Sequence, residues 1–537
     1  MMNQNIKTLF HNMKNETAGS HVIVDTNDGR ASKIPLCLGY AYVLLPFLIF
    51  SLGWMRLYFS IPVVVILLGC FWKACKESPA LWMPELHFEN VMKILFILGV
   101  IALWVYYSGI GKFVFQNADH PWRNGIFNLL VESEWPVVSA DTLPGTTSKS
   151  ALIYYIGFWM PSALIGKLFG LSAGYCMQAL WAFLGIALVY YLICARNKKL
   201  EVWPLAIFIL FSGLDIIGEQ LLGANVFTMD TCRHLEWWNP AYQYTSMTAQ
   251  LFWVFNQSIP AWLCTMLVVM QKNGRNMVLI LACSMLSSTF PFVGLLALVT
   301  FLVFSRAYEQ TWHGKRNAHE SRETEHGKFP PHESSLIMTF IKTTITDVFT
   351  VQNVLGGGIV GIFSFLYLSA NLSGGDIMNQ PPLFGRKYTL MLYVTFLLVE
   401  IAVYVVLLYK YNRKNALFYF SVFMLIVIPP VHVGSSYDFC MRASIPFLFV
   451  LMLLTMDAVR KSYETKDKRL YYALVLAFAI GSVTPMHEFT RTVTESARRG
   501  NEGQVLYEID ISAEEVLSAN NFSGPVEDNF FFKYIAK

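Results

Sequence analysis

Several short groups of acidic and basic residues have the makings of a site that takes a proton and holds an anion. In Asn117-Ala-Asp-His-Pro-Trp-Arg-Asn124, Asp119 is followed by His120 and, one helical turn on, by Arg123. A carboxylate within reach of a hydroxyl can take its proton, and the planar fork of arginine suits carboxylate or phosphate. Asp119 reads as a general base or as a solvated loop aspartate. His120 reads as a group that tunes Asp119, as a metal ligand, or as an exposed side chain. Arg123 reads as a partner of Asp119, as a phosphate contact, or as a surface arginine. Asp215 and Glu219 stand at i and i+4, on one helix face if the helix continues past Gly213 and in a loop if it does not.

Three later groups extend this set. The run Asp230-Thr-Cys-Arg-His-Leu-Glu-Trp-Trp238 is dense in metal-ligating types. It lacks a Cys-x-x-Cys or His-x-x-x-His spacing, so a divalent metal stays open rather than implied. Within it, Arg233, Trp237 and Trp238 suit a phosphate and the face of a sugar ring, or form an interfacial aromatic belt. Glu400 stands in the middle of an apolar run, where a lone glutamate is either functional or paired with another helix. Asp438 and Arg442, again i and i+4, form an ion pair at a helix start, with Arg442 as the leading phosphate contact.

The elements that must position these residues are membrane helices. The 537 residues are 55% hydrophobic and 14% charged, with mean hydropathy +0.45. About a dozen apolar runs are long enough to cross a hydrocarbon core of ~30 Å. The fold class expected is all-α, a polytopic membrane protein with about 13 spans. These fall at 35–53, 57–72, 94–112, 173–194, 203–222, 251–270, 276–289, 291–305, 353–372, 388–409, 415–433, 443–459 and 470–486. The pair 276–305 reads equally as one helix kinked at Pro291. The nine cysteines show no metal-type pairing; most lie in apolar runs as packing residues, and Cys232 and Cys440 fall in loops. The polar first 32 residues hold no cleavable signal peptide, and a net charge of +4 gives no reason to invoke nucleic acid.

Loop charge sets the orientation. With residues 1–34 cytoplasmic, Lys and Arg concentrate in the cytoplasmic loops, as the positive-inside rule requires. This holds only if 150–170 does not cross, so that segment is expected as an interfacial helix on the outer face. The chain then divides into an N-terminal membrane module, 35–305, with outer loops 113–172 and 223–250. A cytoplasmic linker, 306–342, leads to a C-terminal membrane module, 343–487. Residues 488–537 form a small extracytoplasmic tail that docks on the membrane face or folds back on the loops. No internal repeat is visible, which counts against a transporter built from repeated halves.

The order is a helix out, an acidic outer loop, a Tyr-Tyr-bearing segment (Leu152-Ile-Tyr-Tyr155) ending Lys167-Leu-Phe-Gly170, and a helix back to a basic end. This order resembles the GT-C superfamily of polytopic glycosyltransferases, which includes the protein mannosyltransferases and aminoarabinose transferases. The resemblance covers roughly 94–306. It departs where the family often has Asp-Glu, since this chain has Asp119-His120, and two spans before the acidic loop go beyond the family's usual single one. What the resemblance implies is transfer of a sugar from a polyprenyl-phosphate donor to a glycan, lipid or protein acceptor. The reaction would run at the outer face of a membrane, the bacterial inner membrane by this reading. Asp119 would be the base, with Asp215 and Glu219 beside it as catalytic candidates. His120, Arg123, Arg233, Trp237, Trp238, Asp438 and Arg442 would bind substrate. The competing readings are a transporter or flippase of lipid-linked saccharides and a polysaccharide polymerase or ligase.

Overall fold

The structure is a computed structural model that describes residues 31–139, 149–221, 234–320, 333–371, 389–431, 433, 438–506, 509–527 and 529–537. It is almost wholly helical. Ten of the described helices are long and apolar enough to cross a membrane. The helix Leu57–Glu77 shows why they belong in lipid: Ile61, Val65, Leu68 and Trp72 are all exposed along its length. In water such a continuous apolar face would be an aggregation site; against acyl chains it is satisfied. Ala416–Val427 is a shorter apolar helix beside them.

The two ends of the bundle differ in kind. One carries most of the basic loop residues. There Arg196 grips Asp457 with two bonds of 2.8 and 2.5 Å, Arg460 pairs with Glu201, and Arg275 with Asp347. Tyr40, Gln271, Asn276 and Gln352 form a buried hydrogen-bond cluster near it. The other end carries the acidic loop, the Tyr154–Tyr155 segment, residues 234–246 and the C-terminal tail. The segment 150–170 holds no helix long enough to cross a membrane. It consists of a short strand, Ser150–Leu152, a single 3-10 turn and the helix Met160–Phe169, which stops at Gly170. Gly170 has φ +91°, a left-handed conformation that favours glycine.

The 276–305 region is two helices. The break lies at Leu286–Ser288, so Pro291 falls in the first turn of the second, where a missing N–H costs nothing. That second helix, Thr289–Glu320, runs well past residue 305 into the expected linker. Arg306–Glu309 and the stacked Tyr308–Trp312 pair continue its turns, and it packs on the helix Glu333–Val348.

The tail folds back on the loops. Its strand Ser523–Pro525 pairs antiparallel with Ser150–Leu152. Asp510 accepts from Asn124 at 3.0 Å and Asn128 at 2.9 Å, and pairs with Lys112. Arg56 donates to the Ala536 carbonyl at 2.8 Å, and Lys537 N to the Trp54 carbonyl at 3.0 Å. The Cys440 thiol is buried and donates to the Gln243 carbonyl at 3.3 Å; Cys232 lies outside the described residues.

Candidate functional site

The acidic loop is fixed by a broken helix. Met247–Val269 loses helical geometry at Val254, with φ −136° and ψ 35°. A break at membrane depth frees carbonyls that lipid cannot satisfy. The Phe252 carbonyl takes Asn117 Nδ2 at 2.7 Å and His120 Nε2 at 3.0 Å, and the Gln250 carbonyl takes Ser258 Oγ at 3.0 Å. His120 is therefore buried and occupied in holding the loop to this helix, not presented to a ligand. Burial, and then the nearby Arg123 cation, push its imidazole down to about 3, so it stays neutral.

Asp119 sits where the helix His120–Glu132 begins, yet its side chain does not cap that helix. It turns instead to Arg123, 2.9 Å away; the arginine is 7% exposed and the aspartate 44%. Burial raises the Asp119 carboxyl, but Arg123 and Arg442 outweigh it and hold it below the usual carboxylate range. Arg442 arrives from the far half of the chain. It pairs with Asp438 at 3.1 Å and donates to the Tyr155 hydroxyl at 3.4 Å. That hydroxyl also accepts from Tyr154 and from Gln257 Nε2 at 3.1 Å. Arg123 Nε and Nη1 and Arg442 Nε are buried with no partner among the described residues. Four expected site residues, Asp119, Arg123, Asp438 and Arg442, thus meet at one place. Tyr154, Tyr155 and Gln257 join them. The tyrosines were part of the motif quoted from the sequence but had no role assigned to them. Nothing in the sequence pointed to Gln257, a polar residue inside an apolar run.

Asp215 and Glu219 belong to a second place. The helix Trp203–Leu210 stops, four residues run unwound, and a short helix restarts at Asp215. Protein satisfies the unwound backbone: Met247 N donates to the Phe211 carbonyl at 3.0 Å, and Leu214 N to the Val399 carbonyl at 3.3 Å. Asp215 and Glu219 are both buried. Asp215 lies beside Glu400, within hydrogen-bonding reach, and Glu400 sits on a π-helical turn, Leu398–Ala402. Trp238 is buried too and donates to Glu400 at 2.9 Å, so its indole is committed to the protein.

Beside it lies a charged network. His234 is 3.3 Å from Glu236 and 3.0 Å from Glu488; Glu488 also pairs with Arg491 and accepts from Trp253 at 2.9 Å. Burial lowers the His234 imidazole, but the two carboxylates outweigh it and lift it to about 10, making it a cation. The sequence run 230–238 leaves a divalent metal open. Among the described residues no group of three or more His, Cys, Asp or Glu could hold one. Trp237 is half exposed at the surface of this network. Arg233 and Asp230 lie outside the described residues.

An apolar cleft of about 350 Å³ lies elsewhere, between Ile34–Trp54, Leu57–Glu77 and Leu171–Asn197. Its walls include Leu44, Leu48, Leu68 and Leu188, and its floor is a Tyr42–Trp181 stack at 3.9 Å. No family model, curated protein or solved structure matches this chain.

Proposed function

We propose that this protein is a GT-C-type membrane glycosyltransferase that moves a sugar from a polyprenyl-phosphate donor to an acceptor hydroxyl. The observation that carries this reading is a half-exposed, ionised Asp119 paired with Arg123 and within electrostatic range of Arg442, whose buried N–H groups include three without partners among the described residues. Unpartnered buried guanidinium nitrogens are costly unless an anion completes them. A phosphate does so with charge-assisted bonds.

The chemistry follows from the charges. The Asp119 carboxylate takes the acceptor's hydroxyl proton as the acceptor oxygen bonds to the anomeric carbon. The carbon–oxygen bond to the donor phosphate breaks, and its electron pair leaves on the phosphate oxygen. Arg123 and Arg442 offset the charge that develops there. The donor's hydrocarbon chain stays in lipid, and the apolar cleft offers it a groove in the bundle wall. By the positive-inside rule the basic end faces the cytoplasm, which puts this site and the tail outside. The acceptor class is a cell-envelope glycan, lipid or protein.

A second reading, a transporter or flippase of lipid-linked saccharides, is favoured by Asp215, Glu400 and Glu488 buried among the spans. Purified protein in lipid, offered labelled polyprenyl-phosphate sugars, decides between them. Sugar transfer or hydrolysis that Asp119→Asn abolishes supports the transferase. Donor movement across liposomes without turnover supports the transporter.

A further inference from the structure

We propose that Asp215 and Glu400 hold one shared proton, forming an acid pair inside the bundle whose ligand is H⁺.

Ser212 Oγ and Thr484 Oγ1 donate to Asp215 Oδ2 at 2.8 and 2.9 Å, and Trp238 Nε1 donates to Glu400 Oε1 at 2.9 Å. That leaves one junction without a donor. Asp215 Oδ1 is buried and receives no N–H or O–H from the described residues, while the Glu400 carboxyl is in hydrogen-bonding contact with Asp215. Ionised carboxylates only accept hydrogen bonds. Two of them in contact, out of water, cannot both stay ionised. One hydrogen between them satisfies both. The backbone makes room for the contact: a side chain at Gly213 would overlap Glu400 Oε2. The π-helical turn that carries Glu400 is of a kind that recurs at functional sites.

Among the described residues no competing cation pairs with either acid. From the packed elements, the titratable groups facing the pair are Glu236, Tyr404, Tyr244 and Cys440. Glu236 adds negative charge and the others are neutral. The nearest bases are already engaged, His234 between Glu236 and Glu488, and Arg491 on Glu488. These same groups give the proton a route. Glu236 lies within electrostatic range of the pair, His234 is 3.3 Å from Glu236, and the half-exposed Trp237 ring stands 5.5 Å from the His234 ring. Buried titratable groups thus lead from the pair as far as His234, which the half-exposed Trp237 ring covers.

Infrared difference spectroscopy of the full chain in lipid nanodiscs tests this. In sodium-free buffer at pH 7 the wild type should show the carbonyl band of a protonated carboxyl, shifted in D₂O. Glu400→Gln and Asp215→Asn should each lose it, because the amide brings its own bridging hydrogen and the remaining acid ionises. Trp238→Phe leaves both acids in place and should shift the band without removing it, which keeps the test open if an amide variant does not fold. A wild type without the band overturns the proposal. So does a band unchanged in all three variants, or one that sodium alone removes at fixed pH, which would make the position a sodium site.

Discussion

Arg123 reaches back one helical turn to Asp119, its guanidinium buried and the carboxylate half in solvent, 2.9 Å apart. A purely structural surface pair would leave both groups wet. Here the cation is sunk in protein with two of its nitrogens unpartnered, so Asp119 satisfies only part of what burial took from it. Asp119→Asn keeps the shape and one acceptor but removes the base. Turnover should fall about 10²- to 10⁴-fold, the usual worth of a general base. Donor binding should persist. Single-turnover kinetics with parallel binding of labelled donor read the two apart.

Arg442→Lys should weaken donor binding rather than remove chemistry. Lysine keeps the charge but loses the fork that reaches Asp438 and Tyr155 together. Losing charge-assisted bonds of ~1.5–3 kcal/mol predicts a rise in KM of roughly ten- to a hundredfold. A KM unchanged beside a collapsed kcat would show that Arg442 does not hold the donor.

The sequence made the bundle legible because lipid imposes simple rules. Apolar length marked the spans, and loop charge kept 150–170 from crossing. The approach of Arg442 to the surroundings of Asp119 was not legible, since the two residues stand more than 300 positions apart. The Asp215–Glu400 contact was hidden for a related reason. Glu400 looked alone in its run because its partner sits on a helix that unwinds over four residues, and apolar periodicity does not report a break whose backbone is satisfied by other helices. Trp238 reads from the sequence as a sugar-stacking or an interfacial aromatic. Its indole is instead buried, because a carboxyl inside the bundle needs a donor.

His234 makes stability fall at alkaline pH. Its imidazole is lifted to about 10 in the fold, against 6.5 for the ordinary group. A raised folded value means the fold binds the proton that the unfolded chain releases. The stabilisation is complete below about pH 6.5 and is lost as pH rises through about 10. Thermal unfolding followed from pH 6.5 to 10 should show a falling Tm. His234→Gln, which cannot take the proton, should be less stable at pH 6.5 and flatter across that window. Equal slopes in the two proteins would remove His234 as the cause.

Gly213→Ala should be among the more damaging small substitutions. The added methyl overlaps Glu400 Oε2 and presses on the Glu400 backbone. Overpacking a tight interior costs ~1–3 kcal/mol, and here the group displaced is a carboxyl held by Trp238. A lowered Tm, with Gly99→Ala as an unhindered control in open space, is the expected result.

The tail should be required for the shape of the acidic loop. Asp510 gathers Lys112, Asn124 and Asn128, and Ile511 N donates to the Pro121 carbonyl at 3.3 Å. Gly125 has no side chain where the Ile511 carbonyl passes, so the two segments meet backbone to backbone. Phe522 packs on Trp122 and Tyr154 with ring centres 5.1 and 4.9 Å away. The tail therefore touches the helix that follows Asp119 and the segment that carries Tyr155. Asp510→Ala removes an acceptor that three donors share, at a cost of ~1–3 kcal/mol. Asp510→Asn retains an acceptor and should recover part of the loss. Hydrogen exchange on residues 117–132 separates this from general destabilisation. Faster exchange there, with the basic end unchanged, is the outcome expected, and uniform loosening of the whole bundle would contradict it.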